Sequence, residues 1–214
     1  MVQTLQAQAI DLRYLIDNFE IELVTNSDFF PEWQEDLPEI SDFEQQLLDR
    51  VKAGFINLLE YPPLLENVVR MAVLDPILFA GGFFLEPFYI RAEESVELVT
   101  KDGEMLVKGK VDALVLKEQF WVMVIESKRL TYSTEAGLPQ LLAYMLSNPH
   151  RQKLSYGMIT TGGTFVFVKL LKEERPRYAL SKGFRIRDPG KNQLYEVLSI
   201  LKHLSQLAII SITD

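Results

Sequence analysis

Asp112, Glu126 and Lys128 are charged residues set in sequence that otherwise reads as buried β-strand: VDALVLKEQFWVMVIESK, residues 111–128. Charge is costly in such runs unless it is paired or bound to metal. A polar break at Lys117-Glu118-Gln119 splits the stretch into two apolar runs. Folded as a hairpin about Gln119, the ribbon sets Asp112 almost directly opposite Glu126. Side chains alternate along a strand, so Glu126 and Lys128 share a face. Two carboxylates and an amine therefore converge at the end of a hairpin. Carboxylate oxygens suit a hard divalent cation, and with the amine they suit hydrolysis of a phosphodiester. The plain alternatives are that Asp112 pairs with Lys110 or Lys128 at a strand end, or that Glu126 and Lys128 form a structural ion pair.

The elements that must position these groups can be read on both sides. Ser41 and Glu44 have capping-box spacing ahead of FEQQLLDRVKAGFINLLEY, whose apolar positions from Phe43 to Leu59 suit an amphipathic helix. Pro62 and Pro63 break it and open a second, very apolar helix, which Asp75-Pro76 kinks or ends and Gly81-Gly82 stops. Strands follow at 88–100, 104–116 and 120–128, with Lys101-Asp102-Gly103 as a hairpin turn. Thr131 to Leu138 reads as a loop, with Pro139 near the start of a short helix, QLLAYMLSN. GMIT and TFVFVKL are two more strands about a TTGG turn. Residues 173–190 read as loop with one short strand, and KNQLYEVLSILKHLSQLAII is an amphipathic helix. The order predicts a mixed α/β domain. Its core spans 41–172, with an N-terminal extension over 1–40 and a C-terminal loop and helix over 173–214 packed on the same domain.

The chain of 214 residues has no cysteine, which excludes disulfides, thiol catalysis and thiolate metal sites. Its two histidines, His150 and His203, lie away from the charged motif, which argues against zinc. No apolar run is long enough to span a bilayer, and the N-terminus lacks the basic start and apolar core of a signal peptide, so a cytoplasmic location and no membrane partner are expected. The formal net charge of -8 counts against a large electrostatic footprint for nucleic acid. A local basic cleft, or a metal bridging carboxylates to phosphate, would reduce that objection.

Gly109-Lys110-Val111-Asp112, Glu126-Ser127-Lys128 and Gln140-Leu141-Leu142-Ala143-Tyr144 together resemble the PD-(D/E)xK nuclease superfamily. The last group resembles the Q-x-x-x-Y helix motif of its type I restriction branch. GMITTGGTFVFVKL is similar to the strand-turn-strand after that helix in the nuclease domain of type I restriction subunits, and the whole chain resembles cyanobacterial restriction-endonuclease-like proteins. The likeness covers roughly residues 40 to 170. It departs from the literal motif where Val111 replaces the proline before Asp112.

The resemblance implies a restriction-endonuclease-like mixed central sheet flanked by helices, and Mg²⁺-dependent hydrolysis of DNA with Mn²⁺ as a substitute. Asp112, Glu126 and the Ser127 backbone carbonyl would be the metal ligands. Lys128 would orient or deprotonate the attacking water, or stabilise charge on the phosphate. Gln140 would hold water or a phosphate oxygen, and Tyr144, one turn on, would contact the nucleic-acid backbone. Arg129 is a phosphate contact whose position alternates to the other face. Glu66, a lone acid in an apolar helical run, is the best candidate for the family's further acid beside the metal, ahead of Glu60. The bland readings are a solvated Glu66, a Gln140 in the first turn of its helix and a core Tyr144. Expected partners are DNA, other subunits of a restriction or repair system, and a second copy through the apolar helix Leu64–Phe84. The rival functions are a non-catalytic member of the same fold and an oligomeric structural protein.

Overall fold

Runs rich in Val, Ile, Leu and Phe supply one mixed sheet, and amphipathic stretches cover both of its faces. The computed structural model describes residues 3–62, 65–99, 105–117, 120–127, 133–148 and 154–213. In chain order the strands are β1 (Gln3–Gln6), β2 (Glu22–Leu23), β3 (Phe88–Val99), β4 (Met105–Lys117), β5 (Phe120–Ser127), β6 (Leu154–Thr160), β7 (Thr164–Leu171), β8 (Arg177–Leu180) and β9 (Phe184–Arg185). The helices are α1 (Leu12–Phe19), α2 (Asp42–Glu60), α3 (Glu66–Val69), α4 (Asp75–Ala80), α5 (Thr134–Leu146) and α6 (Leu194–Thr213). The strands run β1-β4-β5-β6-β7-β8-β2, with β3 also on β4 and β9 also on β7. The β1–β4, β5–β6 and β2–β8 pairs are parallel, and the remaining pairs are antiparallel. The mixed α/β sheet flanked by helices is as the sequence implies.

Strand parity divides the core in two. Val115, Met123 and Ile125 point to the face covered by α2, α4 and α6, where Leu48, Ile77 and Leu201 bury. Leu114, Leu116, Val124 and Ile159 point to the face covered by α1 and α5, where Leu15, Leu141 and Leu142 bury. Residues 3–40, read from the sequence as an extension, supply strands at both ends of the sheet through β1 and β2, and place Phe30 in one core and Phe19 in the other.

The Ser41 capping box forms: its hydroxyl accepts from the Glu44 N–H at 3.3 Å, and the Glu44 carboxylate accepts from the Ser41 N–H at 2.7 Å. Glu44 also pairs with Lys202 of α6, which ties the start of α2 to the C-terminal helix. Burial would raise its pKa, but the bonds from Lys202 and Ser41 outweigh that and hold it below the usual glutamate value. A depressed folded-state pKa stabilises above the unfolded value and is lost as pH falls through the folded one. Glu44→Gln is therefore expected to lower stability by roughly 1 kcal/mol at neutral pH, the scale of a lost cap. In urea titrations the gap to wild type should shrink as the pH drops below the glutamate range, and a gap that widens in acid would contradict this account.

Two expectations about helices change. The second helix begins at Glu66, and Asp75-Pro76 does not end it. Residues 70–74 widen into a π-helical turn, and α4 continues to Ala80 with Pro76 in its first turn. Proline lacks an N–H, and a π turn relaxes the bonding pattern where that donor is missing. This stretch leaves Met71, Phe79, Phe84 and Leu85 more than half exposed. The second change is α5, which starts at Thr134 rather than near Pro139. Ser133 caps it through the Ala136 N–H at 3.3 Å. Pro139 is tolerated inside because the carbonyl it leaves unbonded is that of Glu135, in the exposed first turn. Residues 173–190 carry two short strands, β8 and β9, rather than one. Among the described residues no helix is long and apolar enough to cross a membrane. The expected turn at 101–103 and His150 lie outside the described residues.

Candidate active site

The β4–β5 ladder pairs Ala113 with Ile125, Leu114 with Val124 and Val115 with Met123. The described ladder ends at the Ala113–Ile125 pair; one further regular step, about the centre at Gln119, would set Asp112 opposite Glu126. Nearer the turn the register shifts, and Leu116 pairs with Trp121. Both carboxylates bear on one atom, the Tyr144 hydroxyl. Burial pushes its pKa well above the usual tyrosine value, and the negative charges of Glu126 and then Asp112 push it further. Glu126 is 1 % exposed, and Asp112 is half-buried and nearer to solvent.

Asp112 sits where β4 changes character. Val107 and Val111 point to the α5 face, whereas Ala113 and Val115 point to the other. Strict alternation would keep all four together. The break coincides with Glu93, directly across on β3, whose φ of 53° places it in the left-handed region. The pairs Ala92–Ala113 and Glu94–Val111 flank this irregular step. Ladders are interrupted in this way where a side chain is re-aimed.

The opposite edge of β4 is shared. β1 pairs with 105–108 and β5 pairs with 113–117, so the described ladders leave 109–112 between them. Tyr144 of α5 fills this notch. Its hydroxyl takes a bond from the Lys110 main chain and accepts from the Gln140 amide at 2.6 Å. The ring reaches that depth because residue 109 is glycine: a Cβ there would lie 2.7 Å from the Tyr144 hydroxyl and 2.7 Å from Ala7 Cβ. Gln140 is 5 % exposed and sits mid-helix, not in the first turn. Tyr144 is 1 % exposed. The expectation that Tyr144 meets the nucleic-acid backbone does not fit that burial. Its hydroxyl ties α5 to β4 through Gln140 and the Lys110 main chain. The shared helix face of Gln140 and Tyr144 was visible as a spacing of four, but nothing local in the sequence signals that Gly109 is their docking point.

Gly109→Ala is expected to destabilise the fold by about 1–3 kcal/mol, the usual penalty for overpacking. It should also move the Tyr144 ring, so tyrosine near-ultraviolet circular dichroism should change along with the melting temperature. A variant matching wild type in both would mean the notch is loosely filled.

The other expected site residues divide. Ser127 ends β5 opposite Thr160, which places its main chain directly after Glu126 on the same strand. Lys128 and Arg129 lie outside the described residues. Glu66 opens α3, half-buried, one turn before Val69, and Val69 packs on Gly162 beyond the end of β6. This puts Glu66 at the same end of the sheet as Glu126. Among the described residues, however, no three or more Asp, Glu, His or Cys side chains gather closely enough to hold a metal.

The arrangement can gather positive charge. Two carboxylates near one tyrosine hydroxyl, one of them buried, favour a cation or an ammonium group beside them. Hard divalent ions take such oxygens, with main-chain carbonyls and water completing the shell. No protein-family model matches the chain, and no curated protein matches it.

Proposed function

We propose that this chain is a Mg²⁺-dependent nuclease of the PD-(D/E)xK type, with a restriction-endonuclease-like fold, acting on DNA. What supports the reading is a buried Glu126 one step beyond the Ala113–Ile125 pair, with both Glu126 and Asp112 acting on the hydroxyl of Tyr144, which Gln140 also bonds. Asp112, Glu126 and the Ser127 carbonyl would hold the cation, with Mn²⁺ as a substitute. When bound, the ion supplies positive charge to the phosphate oxygens and acidifies water.

The protein's own groups do the rest. Asp112, nearer the surface, faces the incoming phosphate. Lys128, two residues beyond Glu126, orients the attacking water and adds positive charge at the phosphate. The oxygen of that water gives up a proton to solvent and forms the new bond to phosphorus as the opposite ester bond breaks, and the departing sugar oxygen takes a proton from solvent. Gln140 and Tyr144 keep the strand pair and helix in register, so the carboxylates stay aligned at no cost during the reaction. The reading is tested by incubating labelled duplex and single-stranded DNA with wild type and Asp112→Asn, in Mg²⁺ and in Mn²⁺. Cleavage by wild type alone supports it. Cleavage that survives in Asp112→Asn, or none by wild type on any substrate with either metal, overturns it.

A further inference from the structure

We propose that Arg185 and Arg187 form a phosphate-binding rail that guides the nucleic-acid backbone away from the Asp112–Glu126 centre along one end of the sheet. This rests on the nuclease reading for where the scissile phosphate lies.

The ladders give the route. Glu126 pairs with Ile159 on β6, Ile159 with Val166 on β7, and Arg185 on β9 with Thr164 at the start of β7. Arg185 therefore stands three strands across from Glu126 and two residues along β7, about 16 Å away at the usual spacings. One nucleic-acid strand carries a phosphate about every 3.4 Å of helix axis, so along that line the rail falls roughly five nucleotides from the cleaved bond.

The segment is built to present cations. Phe184 and Ile186 are each 1 % exposed and anchor it in the core, while the alternating Arg185 and Arg187 project to solvent. Arg185 lines a depression of about 220 Å³ together with Ile159 and with Thr134, Glu135 and Leu138 of α5. Neither guanidinium joins an ion pair among the described residues. Nearby Lys182, by contrast, is held by Glu196 at 3.1 Å and lies over the Phe184 ring. Asp188, next to Arg187, accepts from the Gln193 amide at 3.2 Å. In a chain with 30 acids against 22 bases, two exposed arginines, one on β9 and one in the turn after it, with no ion pair among the described residues, are a local reversal of charge. The planar guanidinium grips phosphate with two parallel bonds.

The test is binding of a fluorescent DNA duplex by anisotropy across a salt series, in EDTA so that cleavage does not intervene, with an RNA of the same sequence as a second arm. Arg175→Ala is the control: it removes the same charge from the β7–β8 turn at the far end of the sheet. Arg185→Ala and Arg187→Ala should each weaken DNA binding about eightfold at about 0.1 M salt and lower the salt slope by about 0.9, the loss of one phosphate contact. Arg175→Ala should bind as wild type does, and circular dichroism should show all three folded. The rail is overturned if Arg185→Ala and Arg187→Ala bind normally, if Arg175→Ala is equally weakened, if only RNA is bound, or if wild type binds neither nucleic acid. Cleavage is scored separately in Mg²⁺. Normal cleavage with unaffected binding removes the rail and leaves the nuclease reading. Weakened binding with no wild-type cleavage keeps the rail and removes the catalytic reading.

Discussion

Glu126→Gln is expected to abolish the stabilisation of this protein by Mg²⁺ and to lower DNA cleavage by at least roughly a hundredfold, the scale of losing one preorganised electrostatic group. The two effects share one cause. Glutamine is nearly isosteric with glutamate, so the packing under α5 survives, but the negative charge that attracts the cation is gone. Few protein ligands imply weak binding, in the millimolar range. With metal at about ten times such a dissociation constant, linkage stabilises the wild type by about 1.4 kcal/mol, or about 3–6 °C for a domain of this size. Thermal melts with and without Mg²⁺ measure the first effect and a cleavage time course the second. A variant that keeps the metal-induced shift but loses cleavage would place the cation elsewhere. Lys128→Ala separates roles further: a group acting in the transition state lowers kcat and kcat/KM together and leaves KM nearly unchanged.

The geometry behind this expectation was largely legible in the sequence. Charged residues inside apolar strands are costly, so their spacing about a polar break reported the register, and the pairs 113–125 through 115–123 carry the centre at Gln119 that the reading required. The capping box at Ser41 was legible for a similar reason, because both of its bonds lie within four residues. What was hidden is non-local. β1 pairs with β4 across about a hundred residues of chain, and QTLQ has no strong strand pattern of its own. The early start of α5 was masked by Pro139, read as lying near the start of the helix although it sits inside it, five residues after Thr134. The notch on β4 follows from where β1 ends and β5 begins, which no window along the chain contains. The inversion at Asp112 depends on Glu93, whose left-handed backbone is atypical for its residue type.

Gly162→Ala is expected to be the most destabilising small substitution in the region of the site, at roughly 2–5 kcal/mol. Two penalties add. Gly162 has a φ of 74° in the turn between β6 and β7, where its N–H bonds the Thr160 hydroxyl at 2.8 Å. A side chain in that left-handed conformation costs roughly 1–2 kcal/mol. The added methyl would also overlap the Val69 side chain outright, since α3 docks directly against the bare glycine, and overpacking of this kind costs about 1–3 kcal/mol. At about 2–4 °C per kcal/mol for this size, the melting temperature should fall by roughly 4–20 °C. The packing part can be isolated with a cycle. Val69→Ala removes the methyls that clash, so the double variant should be less destabilised than the sum of the two single ones, leaving mainly the backbone strain. Strict additivity would mean that the two residues do not meet. Because Glu66 lies one turn before Val69 on α3, the same proteins ask whether that acid matters: assayed below its lowered melting temperature, Gly162→Ala should cleave DNA at near the wild-type rate if Glu66 stands only at the rim, and poorly if the position of α3 sets the chemistry.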